Sequence, residues 1–368
     1  MKKLLFITID SLGQDLVDKS NAVFIKSILR MGNTIENLKT AFPSLTTPMM
    51  TTILTGQYPE THGIYSNSIY NYEQNEVIGK LRGVKVPTIS EILMNKGYKT
   101  LSVQHFMLEN RCNKYVQVDG SKPENNTNTI INELENVDYD AVFTIYQSVD
   151  SIGHKYGALH SKRIEELEKV DQQIEKLYNY INKKWKDFLL VINSDHSMST
   201  YKKHSNFSII KLLNGYGLKG NFYNPGEKIP NDVDFVLIRQ PTVQIYLKSK
   251  KAQNKKNEII YDLESETDVA KVYDEYELTK LHNPYLCDIA YTLKKGYTDN
   301  ISSLLLSVKG FGYHGTFEES DAIATFYGGN IKQEKLKDFD LTVITPKTLK
   351  YLGIDINLES GEKNVTKI

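Results

Sequence analysis

Two carboxylate–imidazole pairs, a lone aspartate, a lone histidine and a threonine carry the chemistry open to this sequence. Asp150-Ser-Ile-Gly-His154 sets a carboxylate four residues before an imidazole. One helical turn puts such a pair on one face, and Gly153 equally allows a compact loop. Asp195-His196 is a second pair, Asp10 follows the first apolar run, and His314 lies between glycines in Gly312-Tyr-His314-Gly315. Oxygen and nitrogen donors of this kind suit zinc without a thiolate. Taken one at a time, each is an ordinary loop Asp or core His; together they are too many for one cation and suit two. Thr46 precedes Thr47-Pro48, where Thr47 fits a helix N-cap, Pro48 the first helical position and Gly56 the C-terminal stop. A helix start favours an anion, so phosphate could dock there and a Thr46 alkoxide would form at lower cost. Alone, Thr-Thr-Pro is an ordinary helix cap.

These side chains need elements that bring them together. Leu4–Ile9, Thr100–Val103, Ala141–Tyr146 and Phe188–Ile192 read as buried parallel strands, with Ala322–Tyr327 a weaker candidate. Helical patterns lie between them at Ala22–Met31, Pro87–Asn95 and Ser161–Trp185. In the last, Ile164, Leu167, Val170, Ile174, Leu177 and Ile181 recur every three or four residues. Strands alternating with helices predict a doubly wound, mostly parallel α/β sheet. Asp10, Asp150, Asp195 and His196 then follow strand ends, where ligands bind in open α/β sheets. The texture changes between residues 201 and 305, with strand-like Thr242–Leu247 and Asp288–Leu293 around the charged run Lys248–Lys256. The expected organisation is a catalytic core over 1–200 and 306–368, with a smaller α+β insertion, 201–305, as a cap. A helix with Pro346 near its start and Gly353 after it closes the pattern.

Composition narrows the function classes. Lys and Arg together number 45, as do Asp and Glu, which argues against a nucleic acid duplex or an anionic membrane as partner. Two cysteines, Cys112 and Cys287, make neither a disulfide framework nor a thiolate zinc cluster. Leu4–Ile9 is shorter than the roughly 7–15 apolar residues of a signal peptide, and no run approaches the roughly 20 of a membrane span. The expectation is a soluble, cytoplasmic protein of undetermined oligomeric state.

The ordered set Asp10, Pro43-Ser-Leu-Thr46-Thr-Pro48, Thr55-Gly-Gln-Tyr-Pro-Glu-Thr-His62-Gly-Ile-Tyr-Ser-Asn67, Asp150-Ser-Ile-Gly-His154, Ser194-Asp195-His196-Ser-Met198 and His314-Gly315 resembles the alkaline phosphatase superfamily, specifically its type I phosphodiesterase/nucleotide pyrophosphatase branch. The resemblance implies two divalent ions, zinc with manganese as the alternative. Asp150, His154 and His314 would hold one; Asp10, Asp195 and His196 the other, which also binds the nucleophile Thr46. It implies a phosphoryl-threonine intermediate, with Asn67 donating to a non-bridging phosphoryl oxygen. His62 sits in the motif but is read as structural. Met49 and Ser197 depart from the family pattern without touching a ligand.

The substrate implied is a small-molecule phosphodiester or pyrophosphate, nucleotide-type. Phosphonate C–P hydrolysis and monoester hydrolysis are the alternatives. The sequence argues against a sulfatase, because Thr46-Thr47-Pro48-Met49-Met50 holds no residue convertible to formylglycine and no Arg. Arg30, Arg82, Arg111, Arg163 and Arg239 all lie away from the motifs in sequence, so no Arg clamp for a dianionic monoester is expected. An inactive binding protein on this fold would lack a ligand or nucleophile, and none is missing.

Overall fold

The computed structural model describes residues 2–299, 310–329 and 331–355. An eight-stranded sheet organises them, in the order Glu334–Leu336, Asn33–Lys39, Asp321–Tyr327, Phe188–Asn193, Lys3–Ile9, Ala141–Tyr146, Thr100–Val103 and Lys114–Val116. Lys3–Ile9 is parallel to both neighbours, with Phe6 opposite Phe143 and Val191. Its side chains alternate between two cores. Leu4 and Phe6 pack with Met49, Ile53 and Phe143 on one face; Leu5, Ile7 and Ile9 pack with Leu167, Val170 and Ile174 on the other. Burial on both faces is why these strands read as unbroken apolar runs.

Asp321–Tyr327 is a strand, but it runs antiparallel to both Phe188–Asn193 and Asn33–Lys39, so the reading of it as parallel is corrected. Its direction matters: the segment entering it lies at the same sheet edge that the parallel strands leave. Asn33–Lys39 carried no strand signal in the sequence. It holds polar Asn33, Thr34, Glu36 and Asn37, the last in the left-handed region at φ 54°.

Helix boundaries shift by a residue or two. Thr88, not Pro87, starts the helix Ile89–Asn95, in a capping box with Glu91. Ser161–Lys184 buries Arg163, Leu167, Val170, Ile174, Leu177 and Ile181, so its stripe begins at Arg163 while Ile164 is only half-buried. Asp171 on this helix accepts from the Phe24 and Ile25 amides at 3.2 and 2.6 Å, capping Val23–Met31 from outside.

A second, five-stranded sheet orders Gly220–Phe222, Phe235–Ile238, Thr242–Leu247, Ile289–Leu293 and Val269–Tyr273. Leu213, Ile245, Ile259 and Tyr291 contribute to its own core. The expected end of the insertion at residue 305 lies outside the described residues. No helix among the described residues is long and apolar enough to cross a membrane.

Candidate active site

The carboxyl ends of three adjacent parallel strands supply the carboxylates. Asp10 directly follows Lys3–Ile9, and Asp195 and His196 follow Phe188–Asn193. Asp150 sits in the first turn of the helix Ser148–Tyr156, just past Ala141–Tyr146. That helix realises the one-face arrangement of Asp150 and His154, with His154 Nε2 3.3 Å from Asp150 Oδ2. His314 follows the short strand Gly312–Tyr313, which pairs with Ser199–Thr200, and precedes the antiparallel strand. Thr46 comes after Asn33–Lys39 and opens the helix Thr46–Thr55. The helix begins two residues earlier than its Thr47 cap implied: Leu45 is the extended N-cap residue and caps with no side chain. The missing cap is supplied from a distance, because Asn67 Oδ1 accepts the Thr47 amide at 3.0 Å. Gly56 closes the helix at φ 67°, as its sequence position predicted.

These elements bring the sequence-derived residues into two neighbouring groups. Asp150, His154 and His314 offer ligand atoms within 4.8 Å of one another, and so do Asp10, Asp195 and His196. His196 Nε2 lies 3.0 Å from Asp195 Oδ2 and 3.7 Å from Asp10 Oδ1. The His196 and His314 rings stack 3.7 Å apart, joining the groups. Thr46 Oγ1 is 3.3 Å from His196 Nε2.

The hydrogen bonds fix the imidazoles. His154 Nδ1 faces the Gly312 carbonyl at 3.0 Å, His314 Nδ1 the Ser44 carbonyl at 2.9 Å and His196 Nδ1 the Ser197 carbonyl at 2.9 Å. A carbonyl only accepts, so each Nδ1 carries a proton and Nε2 is the nitrogen of each ring that faces inward and could bind a cation. His314 Nε2 and His154 Nε2 then face each other at 3.2 Å. Asp10 Oδ1, Asp150 Oδ1 and Asp195 Oδ2 are buried without a hydrogen-bond partner. Buried carboxylate oxygens rarely stay unpaired, and the two Nε2 atoms converge on the same space. A cation in each group satisfies both, and the backbone-anchored rings match the usual support of metal-bound histidine. The donor set therefore fits two cations.

Electrostatics agree. Burial, then the charges of Asp195 and Asp150, push the Asp10 carboxyl well above its usual range. Burial also opposes ionisation of Asp150, but the His154 hydrogen bond and the nearby imidazoles win and hold it below the usual carboxylate range. Burial, then His196, pushes His314 well below an ordinary imidazole, whereas at His154 and His196 burial is outweighed by Asp150 and Asp195 respectively and both are raised. Such crowding of buried polar groups is typical of functional sites.

His62 does not join the groups. Its Nδ1 accepts from the Ile64 amide at 3.1 Å, so Nε2–H donates to Thr52 Oγ1 at 3.1 Å, and burial lowers its pKa to about 3. His105 is likewise buried, with its pKa lowered to about 3.

Arg163 is the residue that the motifs did not point to. The residue is 1 % exposed. It donates to the Ser11 carbonyl at 2.6 Å and Ser11 Oγ at 2.8 Å, to the Val149 carbonyl at 3.2 Å and to the Ala158 carbonyl at 2.5 Å. Ser11 adjoins Asp10 and Val149 adjoins Asp150, so one cation ties together the chain segments behind both groups. Arg82 also comes near the site, lining a cavity of about 780 Å³ that includes Thr47 and Asn67. The separation of every Arg from the motifs thus holds along the chain but not in space. Arg163's position on the buried stripe of an amphipathic helix was the available signal.

Comparison with known proteins follows the same pattern. The chain is similar to ectonucleotide pyrophosphatase/phosphodiesterase family member 7 of mouse, 24% identical over 229 residues, covering 55% of this chain and 51% of that protein. It is similar to human bis(5′-adenosyl)-triphosphatase, 24% identical over 224 residues, covering 54% and 48%. These matches span about half the length of those relatives. Human ectonucleotide pyrophosphatase/phosphodiesterase 5 superposes with a TM-score of 0.78 at 18% identity, covering 100% of this chain and 99% of that one. Phosphonoacetate hydrolase from Sinorhizobium meliloti superposes with a TM-score of 0.67 at 15% identity, covering 95% of each chain. The type I phosphodiesterase/nucleotide pyrophosphatase family matches residues 4–330, and the chain belongs to that family.

Proposed function

We propose that this protein hydrolyses phosphodiester or pyrophosphate bonds of small, nucleotide-type molecules, with Thr46 as nucleophile. The observation that carries this reading is Thr46 Oγ1 at a helix start, 3.3 Å from His196 Nε2, beside two groups of inward-facing ligands. Asp150, His154 and His314 would hold one divalent ion and Asp10, Asp195, His196 and Thr46 the other, zinc or alternatively manganese. Bound there, such ions lower the pKa of a coordinated hydroxyl and neutralise charge on phosphoryl oxygens.

The chain's own residues do the rest. Thr46 Oγ1 forms the bond to phosphorus while the bond to the leaving oxygen breaks, giving a phosphoryl-threonine that water then cleaves. Asn67 Oδ1 is committed to the Thr47 amide, so its NH₂ is the group free to donate to a non-bridging oxygen. The first helical amides favour the same negative charge. Residues 201–305 are read as an inserted cap on a core of 1–200 and 306–368. Among similar proteins, an inactive threonine-to-alanine variant of the murine family member 5 is a complex with AMP, which supports both the nucleotide class and the nucleophile.

The test is turnover of bis(p-nitrophenyl) phosphate and p-nitrophenyl phosphate by zinc- or manganese-loaded protein. The expected outcome is preference for the diester, and loss on the order of 10³–10⁶-fold in Thr46→Ala. A faster monoester, or full diester activity in Thr46→Ala, rejects the reading.

A further inference from the structure

The cavity beside Thr47 and Asn67 has a chemistry of its own. At about 780 Å³ it is large enough for a small-molecule ligand. Its walls come from Asn67–Ser68, from Gly79 at the end of the hairpin Ser68–Asn71/Glu76–Gly79 and Lys80 and Arg82 after it, from Gln104 and Phe106, and from Gln147. Pro225 is the contribution of the expected cap among the described lining residues. Tyr201, Lys202 and Lys203, which follow Asp195-His196 in sequence, do not line it: Tyr201 stacks on Tyr313 at 4.2 Å, and Lys203 Nζ donates to the Tyr297 hydroxyl at 3.2 Å.

Two cations stand in this wall without a carboxylate in direct ion-pair contact, Glu109 attracting Arg82 from longer range. Among the described residues no carboxylate lies within ion-pair distance of Lys80 or Arg82, although Glu109 shares the lining. Arg82 is held in place: its guanidinium lies 4.6 Å from the Phe106 ring centroid, and one Nη1 donates to the Leu81 carbonyl at 3.0 Å. A guanidinium has five N–H donors, so most remain for a ligand. The same contact covers a face of Phe106, the only aromatic side chain in the described lining. Gln147 Oε1 accepts from Gln104 Nε2 at 2.9 Å, and Gln104 Oε1 accepts the Val118 amide at 3.0 Å. The Gln147 NH₂ is thereby left as a further donor. The wall therefore presents two cations against one carboxylate, an amide donor and little open aromatic surface.

We infer that this cavity binds a second phosphate carried by the substrate, away from the phosphorus that Thr46 attacks. The preferred substrates are then phosphodiesters or phosphoanhydrides with an additional anionic phosphate, rather than esters ending in a neutral group. This deepens the hydrolase reading above and rests on it for the position of the reacting phosphorus. Arg82 supplies directional hydrogen bonds and Lys80 a mobile charge.

Binding to the metal-loaded full chain tests this by calorimetry, comparing ethyl phosphate with ethane-, butane- and hexanediol bisphosphates. The best bisphosphate should bind about 10- to 100-fold tighter than ethyl phosphate, and that ratio should fall about tenfold in Arg82→Met and less in Lys80→Met. Equal affinity of mono- and bisphosphates for the unaltered protein overturns the inference, as does a ratio that neither substitution moves. Circular dichroism of both variants checks that they fold, and the two substitutions are read independently. Diester turnover without a bisphosphate preference removes this inference and leaves the hydrolase reading. An Arg82-dependent preference without any turnover does the reverse.

Discussion

Each of the three site imidazoles donates Nδ1–H to a main-chain carbonyl, so the backbone of residues 44, 197 and 312 sets which nitrogen can bind a cation. Asn67 is fixed in the same way by the Thr47 amide, which orients its NH₂ before any substrate arrives. Asn67→Ala should lower kcat by about 10²–10³-fold, the usual cost of one preorganised donor, with the larger effect on kcat than on KM. Steady-state kinetics with a diester checks this. Arg163 acts one step further back. Arg163→Met strands the Ser11, Val149 and Ala158 carbonyls, so thermal and urea unfolding should show a loss of about 3 kcal/mol or more. Zinc stoichiometry should fall with it. Arg163→Lys should recover part of the stability but less of the metal binding, because an ammonium cannot span both segments with a planar fork.

At the scale of elements, the site depends on how closely Ser148–Tyr156 approaches its neighbours. A Cβ added at Gly153 would lie 2.4 Å from Met198 Sδ and 2.7 Å from Arg163 Nε, and one at Gly312 would lie 2.4 Å from the Gly153 carbonyl. Gly153→Ala should therefore destabilise the fold by about 1–3 kcal/mol through overpacking, despite alanine's better helix propensity. Asp150 and His154 flank that contact, so diester turnover should fall more than the unfolding midpoint suggests. Unchanged stability and activity would show that the helix can shift freely. The Asp171 carboxylate, holding Val23–Met31 through two amides, is a second case of one element finishing another.

Over the whole molecule, burial of neutral histidine contributes to the loss of stability in acid. His62 and His105 both have pKa values lowered to about 3 from 6.5 by burial. Below pH 6.5 the unfolded chain binds protons that the native chain refuses. Native stability is thus fully present above pH 6.5 and declines as pH falls toward 3, by up to about 1.4 kcal/mol per pH unit for each histidine. Urea unfolding between pH 7 and 4 should show this decline, and it should be shallower in His62→Gln/His105→Gln. An equally steep decline in the double variant would assign it to other groups. Cation removal acts at the same scale, since the two groups join segments from both ends of the described chain. A chelator should lower the unfolding midpoint, and added zinc should restore it in proportion to free metal.

The sequence by itself determined the ligand types, the nucleophile candidate and the central strands. Each of those is local: an apolar run, a helix stop, or an Asp next to a strand end. The spacing of Asp150 and His154 allowed one helical face or a compact loop, and the helix Ser148–Tyr156 is the one formed. Only the tertiary structure decided that Asp321–Tyr327 runs antiparallel, that Asn33–Lys39 is a strand, that Arg163 lies behind both ligand groups, and that Lys80 and Arg82 share a cavity with Asn67. Strand direction depends on which partner pairs with it, a polar strand is specified by its neighbours more than by its own pattern, and the buried Arg163 reaches one segment, at Ser11, that is 152 residues away. Those are properties of contacts between distant segments, and no window of sequence contains both sides of them.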